Sequence, residues 1–423
     1  MNKKVLIITY YWPPAGGPGV QRVLKFAKYL PEFGWEPIIL TVENGDYHAI
    51  DESLLKDIPS NLKVHKIKVF SILDFYKKIS GNKKAISSFE LTKKEGGLKF
   101  QLVKWLRANF FIPDARGAWN RSAVKHGLKI IREEKPDIIF TSSPPHSLQL
   151  IGLKLKKKSS LKWVADFRDP WTDAFWDKEL PRMKIVQNIN LNLEKRVIKN
   201  ADQLVTISKG CSSLLLKDSV KNFHLLYNGY DENDFNKIKK ISSPRFRVSY
   251  VGSISNKQNP VNFFKCIQQL SQEIKDKLEI NFYGSFDREV IHSAETNGSY
   301  INFHSYINHE TAIEKMVNSE MLLLLIPQNS TGILTGKIYE YLAAKSFILG
   351  IAPKENEIEE ILIRCNSGKT ITFEDDPSEI LLEQINNWIN HQPLNVYSRE
   401  IEKLSRKSIT QKLSEIFNRT IQE

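Results

Sequence analysis

Short apolar runs recur along the chain, each closed by a break and followed by a stretch in which apolar positions return every three or four residues. Residues 5–9 form the first run, the right length for a buried strand. The segment YYWPPAGGPGVQR interrupts it with prolines and glycines, after which Val20, Val23, Leu24, Ala27 and Leu30 share one face of a predicted helix. A turn at Gly34 leads to a second strand at residues 38–42. Strand, helix, strand in that order predicts a parallel sheet, because parallel strands need a crossover. The rhythm continues with a strand at 64–69, a helix at 123–134, strands at 137–140 and 163–165, a helix around 190–198 and a strand at 203–207. It stops at residues 231–245, where polar residues, lysines and serines carry little apolar pattern, as in a linker. A second series follows. It has strands at 248–251, 279–283, 301–303, 321–326, 347–351 and 370–373, helices at 261–270, 311–317 and 358–363, and a charged helix over 396–423.

This pattern predicts an α/β chain of two Rossmann-like domains facing each other across a cleft, residues 1–230 and 246–395. A length of 423 residues agrees, being too long for one compact core. Clefts between two such sheets are default ligand sites. Cys211, Cys266 and Cys365 lie far apart and form no metal or redox pair, which points to a reducing compartment. The start, MNKKVLIITYYWPP, meets Tyr, Trp and Pro before a signal-peptide core is complete, and no run is long enough to span a bilayer. A cytoplasmic protein is expected.

A formal net charge of +13 calls for a partner. Anionic lipid headgroups, nucleic acid and phosphorylated substrates all suit it. No nucleic-acid-reading module accompanies the basic stretches, so nucleic acid is not expected. The excess gathers in residues 77–107 and 154–162. Within the first, LKFQLVKWLRANFFIP mixes large apolar residues with Lys99, Lys104 and Arg107. It reads either as a helix packed on the sheet or as a segment at an anionic membrane surface or over an acceptor cleft.

Open α/β sheets place ligands at the carboxyl ends of their strands. In the first series those ends carry His146, from TSSPPHS, and Asp166, Arg168 and Asp169, from DFRDPW. Two carboxylates beside a guanidinium make either a reacting site or a structural ion-pair network. In the first loop Gly17, Gly19 and the later Glu43 partly imitate a dinucleotide fingerprint, but Arg22 stands where the third glycine belongs. Gly16 and Gly17 still let an anionic or sugar ligand approach the backbone. In the second series NSTGILTGKIYEYLAA opens a helix after a buried strand. Thr335 is placed to cap it, Gly336 leaves its first amides open, Lys337 adds a cation, and Glu340 puts a carboxylate on the same face. The alternatives are an anion site with a grip for a sugar diol, or a packing helix whose Lys337 and Glu340 pair in solvent. Asp-x-Asp is absent, and DEND at 231–234 reads as a turn, so no metal is expected.

Taken in order, YYWPPAGGPGVQR, TSSPPHSLQLIGL, WVADFRDPW, LVTIS, LYNGYD, YVGSISNKQNP and TGKIYEYLAAKSFILGI resemble the glycosyltransferases of the GT-B fold, family 4, in a bacterial branch that makes surface polysaccharides. The resemblance spans nearly the whole chain. It implies that Gly252 and Ser253 form the donor-phosphate loop with Lys257 as its basic residue, and that Thr335, Gly336, Lys337 and Glu340 belong to the donor site, Glu340 holding ribose hydroxyls. Gly16 and Gly17 would border the donor diphosphate and the acceptor, Asp166 the reacting face, and the C-terminal helix would return to the first domain. One departure stands out: the family's first glutamate, eight positions before Glu340, is here Gly332. The second basic residue of the donor-phosphate pair also has no evident counterpart.

The expected activity is therefore transfer of a sugar from a nucleotide diphosphate sugar to a glycan or lipid-linked acceptor. Anomeric configuration would be retained, with no cofactor beyond the co-substrate, at or near the cytoplasmic face of the membrane. A noncatalytic assembly protein of the same fold and an NAD-binding Rossmann enzyme are the rival readings.

Overall fold

The computed structural model describes residues 2–47, 49–68, 98–215, 223–298, 300–328, 334–394 and 398–423. Most of the basic stretch before residue 98, Val69, Gly332 and the start of the expected C-terminal helix lie outside them. The chain forms two compact units, Met1–Tyr227 with Ile409–Glu423, and Asn228–Ser408. Residues 231–245 thus fall within the second unit, where Ile241 N and the Lys240 ammonium are held by Asn318 Oδ1 and Ser319 O.

In the first unit the elements are β1 (Lys3–Ile8), α1 (Pro18–Tyr29), β2 (Trp35–Val42), β3 (Lys63–Ile67), α2 (Leu98–Phe110), α3 (Asn120–Glu134), β4 (Ile138–Ser143), α4 (Gln149–Ser159), β5 (Lys162–Phe167), α5 (Phe175–Lys178), α6 (Lys184–Asn200), β6 (Gln203–Thr206), α7 (Lys209–Leu215) and β7 (Phe223–Leu225). Among the described residues the strands form one seven-stranded sheet, ordered β3-β2-β1-β4-β5-β6-β7. Every pairing is parallel. Helices cover both faces of such a sheet, so its strands are buried on both sides and read as unbroken apolar runs; Val5 to Ile8 are wholly buried. Strands β4 and β5 run further than their apolar cores suggest. Ser142 pairs with Asp166 and Ser143 with Phe167 in the ladder, where pairing overrides the poor strand propensity of Ser and Asp.

The second unit contains α8 (Glu232–Phe235), β8 (Phe246–Val251), α9 (Val261–Gln269), α10 (Gln272–Asp276), β9 (Leu278–Tyr283), α11 (Arg288–Thr296), β10 (Ile301–His304), α12 (His309–Val317), β11 (Met321–Leu325), α13 (Lys337–Ala344), β12 (Phe347–Ile351), α14 (Glu357–Cys365), β13 (Gly368–Ile371), α15 (Ser378–Ile389) and the start of α16 (Arg406–Thr420). Its parallel sheet has the order β10-β9-β8-β11-β12-β13. From Ile409 onward α16 belongs to the first unit. There Phe417 sets its ring edge-on to Trp35 at 5.2 Å and to Phe140 at 5.6 Å. Such apolar and aromatic contacts fix the end of the chain to the first sheet.

Candidate active site

In the first unit the residues singled out in the sequence do converge at the carboxyl ends of β4 and β5. Asp166 is wholly buried. Its oxygens accept from Arg22 Nε and Nη2 at 3.0 and 2.9 Å and from Ser142 Oγ at 2.6 Å. Arg22 also donates to Tyr227 O at 2.8 Å. The arginine that breaks the dinucleotide pattern is therefore the partner of Asp166, and the pair is an interior ion pair that ties α1 to β5. In this structure Asp166 positions its neighbours, and its carboxylate faces no open surface. Arg168 donates to Ser143 O at 3.0 Å, to Pro144 O at 2.8 Å and to Gly19 O, fastening three chain segments together. Burial holds its guanidinium below the usual range, against the pull of Asp166 and Asp169.

Asp169 is half-buried. Burial raises its carboxyl above the usual range, with Arg168 opposing. His146 lies nearly parallel to Trp171, the rings 5.1 Å apart and inclined by 8°. Burial pushes its imidazole down to about 3, so the ring is neutral at neutral pH. Its Nε2 lies 3.2 Å from Pro170 O, which can only accept, so Nε2 carries the proton. Nδ1 is then a buried acceptor, with no hydrogen-bond partner among the described residues. Trp171 and Thr172 are themselves held from α6: Trp171 Nε1 donates to Asn190 Oδ1 at 2.9 Å, and Thr172 N donates to Glu194 at 2.7 Å. Gly17, with φ 101°, adopts a backbone conformation suited to glycine and precedes α1, whose first turn begins at Pro18. Gly16 N is bonded to Ala49 O.

In the second unit Lys337 meets Gly252 at the end of β8, and Glu340 lies one turn further along α13, near His309 and Arg406. Gly252 has φ 142°, and a Cβ added there would lie 1.9 Å from Lys337 Nζ. Only glycine lets the ammonium rest against this backbone. Gly284, at the end of the neighbouring β9, is fixed in the same way by the Gly252 carbonyl, 1.9 Å from an added Cβ. Lys337 Nζ donates to Tyr250 Oη at 3.0 Å and stands 4.8 Å from the centre of that ring; Tyr250 Oη donates onward to Ser253 O at 2.8 Å. Burial pushes the Lys337 ammonium down to about 8, with Glu340 opposing. Burial likewise raises the Glu340 carboxyl, against His309 and Arg406. Among the described residues Lys337 and Glu340 form no ion pair with each other or with any other group. The helix does pack, through Ile338, Tyr339, Tyr341 and Leu342, but the solvent pairing of Lys337 with Glu340 anticipated in that alternative does not form.

The cap of α13 differs from expectation. Gly336 is the capping residue and no side chain caps the helix, because the helix begins at Lys337, one residue later than Thr335 requires. A Cβ added at Gly336 meets nothing within 4 Å, so among the described residues there is room beside this glycine. Ser253 and Lys257 are exposed on the loop after β8. The DEND segment is a short helix rather than the expected turn: Asp231 caps α8 by accepting from Asn233 N, and Asp234 meets His309 Nε2 at 3.1 Å. Among the described residues no three His, Cys, Asp or Glu side chains gather as metal ligands. Sequence reasoning missed Arg22 as a partner, and Tyr250, Gly284 and His309 altogether. Gly284 had a readable signal, since it follows its strand as Gly252 follows β8.

The model of Glycosyltransferase Family 4 matches residues 19–234, half of the chain. The chain belongs to glycosyltransferase family 4. No curated protein sequence matches this glycosyltransferase. Among solved structures it is similar to a sucrose-phosphate synthase from Thermosynechococcus elongatus, at 12% identity over 99% of this chain and 98% of the other, with a TM-score of 0.63. A glycosyltransferase from Rickettsia africae matches at 12% identity over 100% and 99%, TM-score 0.63. HepE from Anabaena, in complex with UDP, matches at 12% over 99% and 100%, TM-score 0.65. At such identity these likenesses speak to the fold, which is GT-B. No described helix of the glycosyltransferase is long and apolar enough to cross a membrane.

Proposed function

We propose that this glycosyltransferase takes its sugar from a nucleotide diphosphate donor held by the second unit, and passes it to a glycan or lipid-linked acceptor in surface-polysaccharide synthesis. One observation carries the donor half of this reading. Lys337 and Glu340 sit one turn apart, opposite in charge and both half-buried, yet they do not pair. A partly desolvated cation and anion left apart are disposed toward a ligand that brings the missing partners. A diphosphate would answer Lys337 and the first amides of α13, which no side chain caps, and a ribose diol would answer Glu340. HepE, similar in fold, was solved with UDP and with UDP-glucose.

In the transfer, negative charge develops on the departing diphosphate, and donors already in place stabilise it without reorganising. Lys337 and the first amides of α13 would supply that stabilisation without a metal. Retention of configuration would follow if the leaving phosphate takes the acceptor's proton. Neutral His146 and half-buried Asp169 would be the groups of the first unit that orient an acceptor, with Asp166 and Arg168 holding their loop. A thermal-shift screen of UDP-, GDP- and TDP-sugars tests the proposal, since a ligand that binds only the folded state raises the melting temperature. One nucleotide class should raise it, and Glu340→Ala should remove most of the rise. A rise with NAD alone, or equal rises in wild type and Glu340→Ala, would sink it.

A further inference from the structure

Strands β8 and β11 part where the second sheet reverses its order. From β8 the strands run outward to β9 and β10 on one side and to β11, β12 and β13 on the other. In open parallel sheets such a reversal opens a crevice at the carboxyl ends of the strands. The β8–β11 ladder pairs Val248 with Met321 and Ser249 with Leu322, although β8 continues to Val251 and β11 to Leu325. Past Ser249 the backbone of β8 takes partners elsewhere. Gly252 N donates to Tyr283 O on β9 at 2.8 Å. Val251 N, one residue back and so directed to the other side of the strand, donates to Tyr341 Oη at 3.0 Å. A tyrosine of α13 thus stands in for a ladder partner.

Lys337 lies one turn before Tyr341, so the two share a face of α13. A second tyrosine meets Lys337 from the strand. Tyr250 is wholly buried, and its hydroxyl accepts from Lys337 Nζ at 3.0 Å while donating to Ser253 O at 2.8 Å. Burial raises that hydroxyl above its usual range, so it stays neutral and keeps both bonds. Its ring lies 4.8 Å from the ammonium, which also rests against Gly252. Tyr250 takes one of the three ammonium hydrogens, and among the described residues no other acceptor takes the remaining two. We propose that Tyr250 is a positioning residue for sugar transfer: its hydroxyl holds the Lys337 ammonium against Gly252 at the β8–β11 crevice, with two hydrogens left for the donor diphosphate, and fixes the loop at Ser253 as it does so. This role rests on the donor reading given above. A long lysine side chain loses rotamer freedom when a ligand orders it, and ordering it beforehand takes that cost out of binding.

Tyr250→Phe keeps the ring and removes the hydroxyl. NMR of isotope-labelled lysines reads the first consequence in the full-length, ligand-free protein, with the Lys337 signal identified by its loss in Lys337→Met. The groups that bear on that ammonium are Glu340 on its own helix and Tyr250 on β8. A hydrogen bond accepted from the charged form favours that form, so in Tyr250→Phe Lys337 should titrate at lower pH than the wild-type value of about 8. Calorimetric titration with UDP, GDP and TDP reads the second consequence. The nucleotide that wild type binds should bind Tyr250→Phe roughly tenfold more weakly, and its affinity should begin to fall at lower pH. Tyr341→Phe is the structural control: it takes the acceptor from Val251 N, and should lower the melting temperature while leaving the Lys337 titration where it was. Wild type that binds none of the three nucleotides would overturn the donor reading and this role with it. Wild type that binds, beside a Tyr250→Phe that binds equally well or titrates Lys337 alike, would overturn the role of Tyr250 alone. An equal shift of Lys337 in Tyr341→Phe would overturn it too, by assigning the effect to a loosened crevice.

Discussion

Replacing Lys337 with methionine should make the ligand-free protein more stable and leave it unable to hold a nucleotide. The methionine keeps much of the apolar stem and removes the charge that burial disfavours. Burial depresses the ammonium from 10.5 to about 8. At ~1.4 kcal/mol for each pH unit this sets a ceiling of ~3 kcal/mol on the cost of keeping the ammonium charged. Lys337 is only half-buried, so water screens part of the cost, and a gain of ~1–2 kcal/mol at pH 7 is expected. The sign follows from proton binding. Between about 8 and 10.5 the unfolded chain holds a proton that the folded chain has lost, so wild-type stability rises with pH in that window. The advantage of Lys337→Met should therefore be complete below pH 8 and fade toward pH 10.5. Urea melts of both proteins from pH 7 to pH 10.5, with and without the nucleotide that shifts the wild type, make the assay. The Tyr250 hydroxyl keeps its bond to Ser253 O in the variant, so no orphaned donor offsets the gain. A variant less stable than wild type at pH 7, or one still stabilised by the nucleotide, would refute the reasoning.

Three further outcomes follow from the same geometry. Gly252→Ala should cost ~1–3 kcal/mol, because it places a side chain at positive φ, and should displace the ammonium; melting and nucleotide titration of the variant would read both effects. Asp166→Asn leaves Arg22 buried without its counter-charge, which costs ~3–5 kcal/mol; adding Arg22→Met should recover part of the loss in urea melts, and a variant of wild-type stability would mean the pair is not structural. Burial raises Glu194 from 4.5 to about 7, so the folded state holds its proton more tightly and stability should fall by ~2–3 kcal/mol as pH rises from 4.5 to 7, then level off. Glu194→Gln should flatten that slope, and an unchanged pH profile would remove Glu194 as its source.

The order of strands and helices was legible because parallel strands covered on both faces leave unbroken apolar runs, as at Leu322 to Leu324 and Ile348. What escaped was set by tertiary contact. The edge strand β7, Phe223–Leu225, is short and only half-buried, and carries no run to read. Helices α11 and α15 have good apolar faces, but their polar lengths resemble loops when read residue by residue. The candidate residues were legible as types at strand ends. Their partners were not, because Arg22 and Asp166 stand 144 positions apart and meet only when α1 packs on the sheet. The faces of α2 were likewise hidden: its composition fits a packed helix and a surface helix equally well, and only burial shows that Leu102, Leu106 and Phe110 face water while Lys104 and Asn109 do not.

The central claim is that Gly252, Lys337 and Glu340 hold the diphosphate and ribose of a nucleotide donor. Calorimetric titration of UDP, GDP and TDP into wild type, Lys337→Met and Glu340→Ala tests it most directly. Wild type should bind one of the three, Lys337→Met should lose that binding, and Glu340→Ala should retain a weakened form of it. No binding of any nucleotide to the wild type, or binding indifferent to both substitutions, would contradict the account.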